Sequence, residues 1–316
     1  MQSVSPPLFT RLALATALFT FGLIIFGAVV RVTDSGLGCG SHWPLCNGTI
    51  FPPLDNLTAW IEWLHRLFAV LIGLLGIGML AVALHAYRRQ SKAVLNITLA
   101  AAGLFVLQSA LGAVVVVLEL PPTFVTLHLG TAMLLLGALL AAGVWASYRP
   151  VGAHKGDFIA ALTYVTAALS LVIILTGALV RGSGATLACT DWPLCNGQVF
   201  PFGQGQLATI HMVHRFAVLA LGISLAMLVW YVFKNRDREA RLLAGLALVV
   251  YLGQAGVGAL YVLSSAAPLW GAAHVGLAAA TWGLLVVLSA MEWMNGREAT
   301  DNVSEQRWNP QSEVTS

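Results

Sequence analysis

The chain has 316 residues, of which 58% are hydrophobic and only 9% are charged, with a formal net charge of +3. Soluble domains typically carry about 25% charged residues, so this chain has too few charges to cover a water-soluble globule of its size. The composition therefore excludes an ordinary soluble protein and predicts an integral membrane protein. No basic stripe lies outside the loops, which argues against a nucleic-acid partner.

Eight segments are long and apolar enough to cross a membrane, since a spanning helix needs about 20 apolar residues. They lie at about 9–30, 58–85, 93–118, 124–147, 157–180, 207–233, 240–264 and 269–293. We expect span one to be retained rather than cleaved as a signal peptide, because it lacks a convincing cleavage site and has a full counterpart in span five. The tail at 296–316 is polar without apolar periodicity, which predicts a disordered cytoplasmic segment.

The distribution of lysine and arginine among the loops predicts the orientation. Basic residues gather in the loops after spans two, four and six, whereas the connections after spans three and seven have none. The positive-inside rule therefore places both termini and the three basic loops in the cytoplasm. The long loops 31–57 and 181–206 then face outward.

The two halves of the chain repeat one another. The segment GAVVR at 27–31 returns as GALVR at 177–181, WPLCNG at 43–48 returns unchanged at 192–197, and HRLFAV at 65–70 returns as HRFAV at 214–218. Each repeat holds four spans, an even number, so both halves have the same orientation in the membrane. The predicted fold is an all-α membrane protein whose eight transmembrane helices form two parallel, pseudo-two-fold-related four-helix bundles, at 1–150 and 151–295.

Four of the eight histidines fall at equivalent places in the two halves. They are His65, His128, His214 and His274. Each lies at the outward end of an even-numbered span, roughly 10 Å or less below the end of its helix. Two imidazoles that face each other across a bundle are what axial ligation of a haem iron requires, so these residues are predicted haem-iron ligands. The alternatives are interhelical hydrogen bonds, or a zinc or di-iron site, which would need carboxylates that the spans almost lack.

A carboxylate distinguishes the first half from the second. Glu62 lies three residues before His65, on the same helix face, and its counterpart in the second half is His211. This difference predicts that the first half performs chemistry while the second half holds a fixed cofactor. Glu62 could accept a proton or stabilise a cationic intermediate. The alternative is an ion pair with Arg31 or Arg66, or a bond to a backbone group.

Basic and sulfur-containing side chains also occur in matched positions on the outward side. The only outward lysine or arginine residues are Arg31, Arg66, Arg181 and Arg215. They are candidates to bind haem propionates, and the alternative is contact with lipid phosphates. One outward loop carries Cys39 and Cys46 and the other carries Cys189 and Cys195, and an oxidising compartment favours a disulfide in each. Structural disulfides are the preferred interpretation, and a redox-active first pair is the alternative.

Together these residues resemble the haem A synthase family of membrane proteins, over nearly the whole chain except the tail. The resemblance rests on the segment 27–31, the Cys39/Cys46 loop, Glu62-x-x-His65-Arg66, His128, His214-Arg215 and His274. It implies oxidation of a methyl group of haem O to a formyl group, through a hydroxylated intermediate, to give haem A for cytochrome oxidase in the cell membrane. It also implies a haem b cofactor at His214 and His274, substrate haem O at His65 and His128, and Glu62 as the catalytic carboxylate.

The resemblance further implies partners. A haem O synthase, the protohaem farnesyltransferase, would supply the substrate, an electron donor or acceptor would complete the reaction, and membrane lipid would surround the chain; self-association into a homo-oligomer is left open. Two other functions remain for comparison. A non-catalytic di-haem b electron-transfer protein would have equivalent halves and no need of Glu62. A transporter would place polar residues near the midplane, whereas here the ionisable groups lie near the outer surface.

Overall fold

A computed structural model describes residues 7–150 and 157–308, and it is helical throughout apart from turns and loops. The long helices are α1 (Pro7–Val32), α2 (Leu57–Ala86), α3 (Lys92–Val117), α4 (Pro122–Ser147), α5 (Phe158–Gly182), α6 (Gln206–Asn235), α7 (Arg238–Leu263) and α8 (Pro268–Trp308). All eight are long and apolar enough to cross a membrane. The prediction of an all-α membrane protein with eight spans is therefore confirmed.

Polar residues in the short connections begin several of these helices. The side chains of Asn56, Ser91, Asp157 and Asp237 each accept a hydrogen bond from a backbone N–H in the first turn that follows. Such caps satisfy N–H groups that have no partner within the helix. The connections are short except at one end of the bundle, where residues 33–56 and 183–205 form two long loops. We call this the long-loop end.

The structure corrects the prediction for the C-terminal tail. Helix α8 does not stop near Gly296 but continues to Trp308, so the segment 296–308 is helical rather than disordered. A helix needs intact backbone hydrogen bonds and not an apolar stripe, so the absence of periodicity was a poor guide to its end. Residues 309–316, the remainder of the predicted tail, lie outside the described residues, as do residues 151–156 at the predicted boundary between the halves.

The helices contact one another in two rings of four. Helices α1 to α4 pack in sequence with α4 returning to α1, and helices α5 to α8 do the same with α8 returning to α5. The halves meet through α1 with α8, α4 with α5, and α4 with α8. Exchanging each helix for its repeat counterpart converts this set of contacts into itself, as a two-fold relation requires. The relation between the two bundles itself stays a prediction.

Two equivalent glycines bring the halves together. A Cβ on Gly276 of α8 would lie 3.1 Å from Ile25 of α1, and a Cβ on Gly130 of α4 would lie 2.9 Å from Leu175 of α5. Small residues at such crossings allow helix backbones to approach closely within a membrane. The indole N–H of Trp282 adds a hydrogen bond of 2.9 Å across the same boundary, to the backbone carbonyl of Met133.

A buried ion cluster joins three helices at the opposite end of the second half. Arg236 follows α6 and donates to both carboxylate oxygens of Glu292 on α8, at 2.8 Å each. It also donates to both oxygens of Asp157, which caps α5, at 2.8 and 3.0 Å. The side chains of Arg236 and Glu292 are each only 3% exposed. The cluster therefore ties α5, α6 and α8 through a buried Arg236–Glu292 pair and the partly exposed Asp157.

Arg236→Ala is expected to destabilise the protein strongly, because it leaves the buried Glu292 without a counter-charge. Removing one partner of a buried ion pair typically costs about 3–5 kcal/mol. Thermal or denaturant unfolding in detergent would measure the loss. Arg238→Ala is the matched control, since Arg238 is a neighbouring arginine with an exposed side chain. Equal stability of the two variants would show that the cluster does not hold the helices together.

Candidate functional site

Each of the four matched histidines lies against a glycine of a neighbouring helix. The pairs are Gly27 with His65, Gly112 with His128, Gly177 with His214 and Gly258 with His274. A Cβ on these glycines would lie 3.1, 3.1, 3.1 and 2.9 Å, respectively, from the Cε1 atom of the imidazole. The missing side chains therefore make room for the rings and determine where they lie. Sequence reasoning missed this role, although all four glycines belong to the repeated segments.

The structure brings the histidines together as two pairs. His65 on α2 lies near His128 on α4 within the first half, and His214 on α6 lies near His274 on α8 within the second. Among the described residues there is no group of three or more histidine, cysteine or acidic side chains arranged to hold a metal ion.

The hydrogen bonds made by the Nδ1 atoms distinguish the two histidine pairs. His214 Nδ1 lies 3.0 Å from the Thr176 hydroxyl, and His274 Nδ1 lies 3.0 Å from the backbone carbonyl of Gln254. A histidine that ligates a metal normally donates its other ring N–H to such a partner, which sets the tautomer and the ring orientation. In the second half both rings are therefore oriented with Nε2 left for a ligand.

The first pair lacks this arrangement. His65 Nδ1 is buried without a hydrogen-bond partner, and the residue equivalent to Thr176 is Phe26, whose ring has no acceptor and lies 6.1 Å from the imidazole between centroids. His128 Nδ1 makes no hydrogen bond of normal geometry although the Gln108 carbonyl lies near the ring. The Gln108 side-chain amide instead lies 3.2 Å from His128 Nε2. The first pair therefore lacks the hydrogen bonds at Nδ1 that the second pair has, and Nε2 of His128 has a protein neighbour.

Glu62 is buried beside this first pair, with only 3% of its surface exposed. One carboxylate oxygen accepts the backbone N–H of Cys39 at 2.8 Å, and the other pairs with the Arg66 guanidinium. Both the ion pair and the backbone contact considered from sequence are thus present. In the second half His211 takes the place of Glu62, and its Nε2 lies 3.3 Å from Arg215. The structure therefore preserves the predicted difference between the halves.

The arginines that follow His65 and His214 bind the long loops. Arg66 Nη1 donates to the backbone carbonyls of Pro44 and Leu45, at 3.2 Å each. Arg215 Nη1 donates to the equivalent carbonyl of Leu194. Each arginine thereby fastens the repeated WPLC segment over the helix that carries the histidine, a role that sequence reasoning missed.

The other two arginines meet at the boundary between the halves. Arg31 and Arg181 each lie 3.8 Å from the same carboxylate oxygen of Asp34, which is largely exposed. Exposed ion pairs of this kind contribute little stability, so both guanidiniums remain available for another anion. Contact of any of the four arginines with a propionate stays a prediction.

Both predicted disulfides are present, between Cys39 and Cys46 and between Cys189 and Cys195. All four cysteines are buried, and each pair closes a short segment within one of the long loops. In the second loop, hydrogen bonds from the backbone N–H groups of Gly197 and Asn196 hold the pKa of Asp191 below its usual range. These contacts support the structural interpretation of the loops, while redox activity of the first pair stays untested.

The fold and the site together define a multi-pass helical membrane protein with two pairs of inward-facing histidines, each capped by a disulfide-closed loop. A family model described as "Cytochrome oxidase assembly protein" matches residues 10–59 and 55–286. The chain belongs to this family, COX15-CtaA.

Curated relatives agree with that assignment. The heme A synthase of Symbiobacterium thermophilum is 32% identical, over 87% of this chain and 92% of the relative. The heme A synthase of Shouchella clausii is 34% identical, over 82% and 88% respectively, and that of Geobacillus kaustophilus is 30% identical, over 87% and 89%. The resemblance stated from the sequence motifs is therefore confirmed.

Proposed function

We propose that this chain is a haem A synthase, an oxidoreductase that converts a methyl group of haem O to a formyl group through a hydroxylated intermediate. The heme A synthases that it resembles over most of their length support this function. The observation that carries it is the inequality of two otherwise matched histidine pairs. One pair lies beside the buried Glu62 and has no hydrogen-bond partner at Nδ1 of either ring, whereas the other has no carboxylate and is oriented by hydrogen bonds.

The second pair suits a permanent haem b cofactor. Thr176 and the Gln254 carbonyl fix the rings of His214 and His274 through Nδ1, which leaves Nε2 of each to ligate iron. Gly177 and Gly258 make the space that each ring occupies. When bound, the haem would supply one-electron redox chemistry. The protein's part is to hold two neutral imidazoles in place.

The first pair suits a haem that must enter and leave. His65 lacks a partner that would orient it, and the Gln108 amide beside His128 Nε2 must give way before that nitrogen can ligate iron. A substrate site has to release its product, so ligands that are not rigidly fixed fit haem O rather than a permanent cofactor. Release of haem A would restore the contact between Gln108 and His128.

Glu62 is placed to act on the substrate. It shares a helix face with His65, and its contacts with Arg66 and the Cys39 N–H hold the carboxylate in one position. There it would accept a proton from the methyl group that is oxidised, or stabilise positive charge that develops on that carbon. The guanidiniums of Arg31, Arg66, Arg181 and Arg215 would pair with haem propionates on the same side of the bundle.

The charge pattern of the loops and the chemistry of the reaction together suggest the orientation in the membrane and the partners. By the positive-inside rule the basic short loops would lie in the cytoplasm with both termini, and the haem sites would then lie toward the extracytoplasmic side of the cell membrane. A haem O synthase would supply the substrate and cytochrome oxidase would receive the product. Oxidation of the methyl group also needs a redox partner, which is an electron acceptor if the oxygen atom comes from water and an electron donor if it comes from molecular oxygen. Self-association into a homo-oligomer is left open.

The function is tested by expressing the chain with a source of haem O, extracting the haems and separating them by chromatography with mass detection. We expect haem A together with a hydroxylated intermediate. A folded, haem-loaded protein that yields neither compound would overturn the proposal and favour the di-haem b electron-transfer alternative. Cells that make haem O but lack the chain provide the control.

A further inference from the structure

An apolar groove runs along α1 beside the first histidine pair. Its volume is about 450 Å³. The lining residues are Leu18, Phe19, Gly22, Leu23 and Phe26 of α1 and Phe68 of α2. From Phe26 to Leu18 the groove extends about 12 Å along the helix, away from the long-loop end and toward the middle of the bundle.

Phe26 connects this groove to the proposed substrate site. Its ring lies 6.1 Å from the His65 imidazole and 6.2 Å from the Phe68 ring, measured between centroids. The next residue, Gly27, is the glycine against which His65 packs. The upper end of the groove is therefore formed by Phe26, whose ring neighbours an imidazole predicted to ligate the substrate iron.

Gly22 keeps the middle of the groove open, because no atom lies within 4 Å of the position that its Cβ would take. The lining residues are not repeated in the second half. There Val172 stands for Gly22 and Thr176 for Phe26. Thr176 moreover orients His214, which Phe26 cannot do for His65. The groove thus lies in the first half, which is also the half that carries Glu62.

We propose that this groove binds the farnesyl chain of haem O, an inference that rests on the proposed function. The chain is the apolar group that distinguishes haem O from protohaem, and the lining offers apolar side chains alone. Within a membrane the gain comes from close packing rather than from exclusion of water. A chain held along α1 would fix the rotation of the porphyrin about the iron axis. The groove would therefore select which methyl group faces Glu62.

The test is a binding titration of the purified full chain with its resident haem retained. Absorbance is followed as haem O or protohaem is added, and the ratio of the two affinities is the readout. We expect wild type to prefer haem O. Gly22→Phe should weaken haem O binding by about tenfold through lost packing and leave protohaem binding unchanged. Gly22→Val, which imports the residue of the second half, should have a smaller effect in the same direction.

Gly103→Phe is the matched control, since Gly103 lies on α3 outside the groove and also has no atom within 4 Å of its Cβ position. An unchanged affinity ratio in Gly22→Phe would overturn the proposal and leave a lipid acyl chain as the occupant. An equal loss for both haems, or the same loss in Gly103→Phe, would also overturn it. His65→Ala distinguishes a failure of the groove proposal from a failure of the proposed substrate site. Haem binding that does not depend on His65 would overturn the proposed substrate site itself, and the groove proposal with it.

Discussion

Replacing Glu62 with alanine is expected to lower haem A formation by about 10²-fold or more, the contribution typical of a positioned acid or base. Haem loading should persist, because His65, His128, His214 and His274 are untouched. The measurement is the ratio of haem A to haem O extracted from membranes that contain equal amounts of the protein. Glu62→Gln should give a similar loss while it keeps the side-chain shape and an acceptor for the Cys39 N–H.

His211→Ala is the matched control, since His211 occupies the same helix position in the second half and also contacts the following arginine. It should leave haem A formation largely intact. If Glu62→Ala formed haem A at the wild-type rate, the carboxylate would be only the structural partner of Arg66. A thermal melt of each variant would show whether any loss of activity reflects unfolding instead.

Loss of one ligand from the second pair should remove the permanent haem. His214→Ala or His274→Ala is expected to abolish the stable spectrum of the haem b cofactor, because each removes one of the two axial imidazoles. The amount of haem per purified protein, from its absorption spectrum, measures the effect. Retention of an unchanged spectrum in both variants would show that the ligands have been misassigned.

Two variants that keep both histidines should also lower haem binding at the second pair, although less than loss of a ligand does. Gly177→Leu forces a side chain against His214, whose Cε1 would lie 3.1 Å from the new Cβ. Thr176→Ala removes the partner of His214 Nδ1, and loss of such partners typically lowers metal affinity by about 10–100-fold. Gly253→Leu, at an exposed position of the same half with no atom near its Cβ site, should retain haem as wild type does.

The sequence was sufficient for the features that depend on local composition or on the repeat. Apolar runs of the length of a bilayer predicted the eight helices, because few other structures place so many apolar residues in a row. Comparing the halves selected four histidines from eight and separated Glu62 from His211. The close spacing of Cys39 with Cys46, and of Cys189 with Cys195, made their pairing expected.

Features that depend on contacts between distant segments could not be predicted in this way. Hydropathy is nearly uniform around α1 and α3, so it did not show that Gly112 faces His128 or that Phe26 borders a groove. Arg236 looked like one more basic residue of a short loop, and only packing of α5, α6 and α8 reveals its burial. The bonds from Arg66 and Arg215 to loop carbonyls likewise depend on backbone conformations that residue identity does not determine.

The contact between Gly276 and Ile25 joins the helices that position one histidine pair to those that position the other. Gly276 lies two residues after His274 on α8, and Ile25 lies two residues before Gly27, which supports His65 on the other side. The two histidine pairs are therefore linked through the packed contact of α8 with α1, and a larger side chain at Gly276 would push against the helix that carries Gly27.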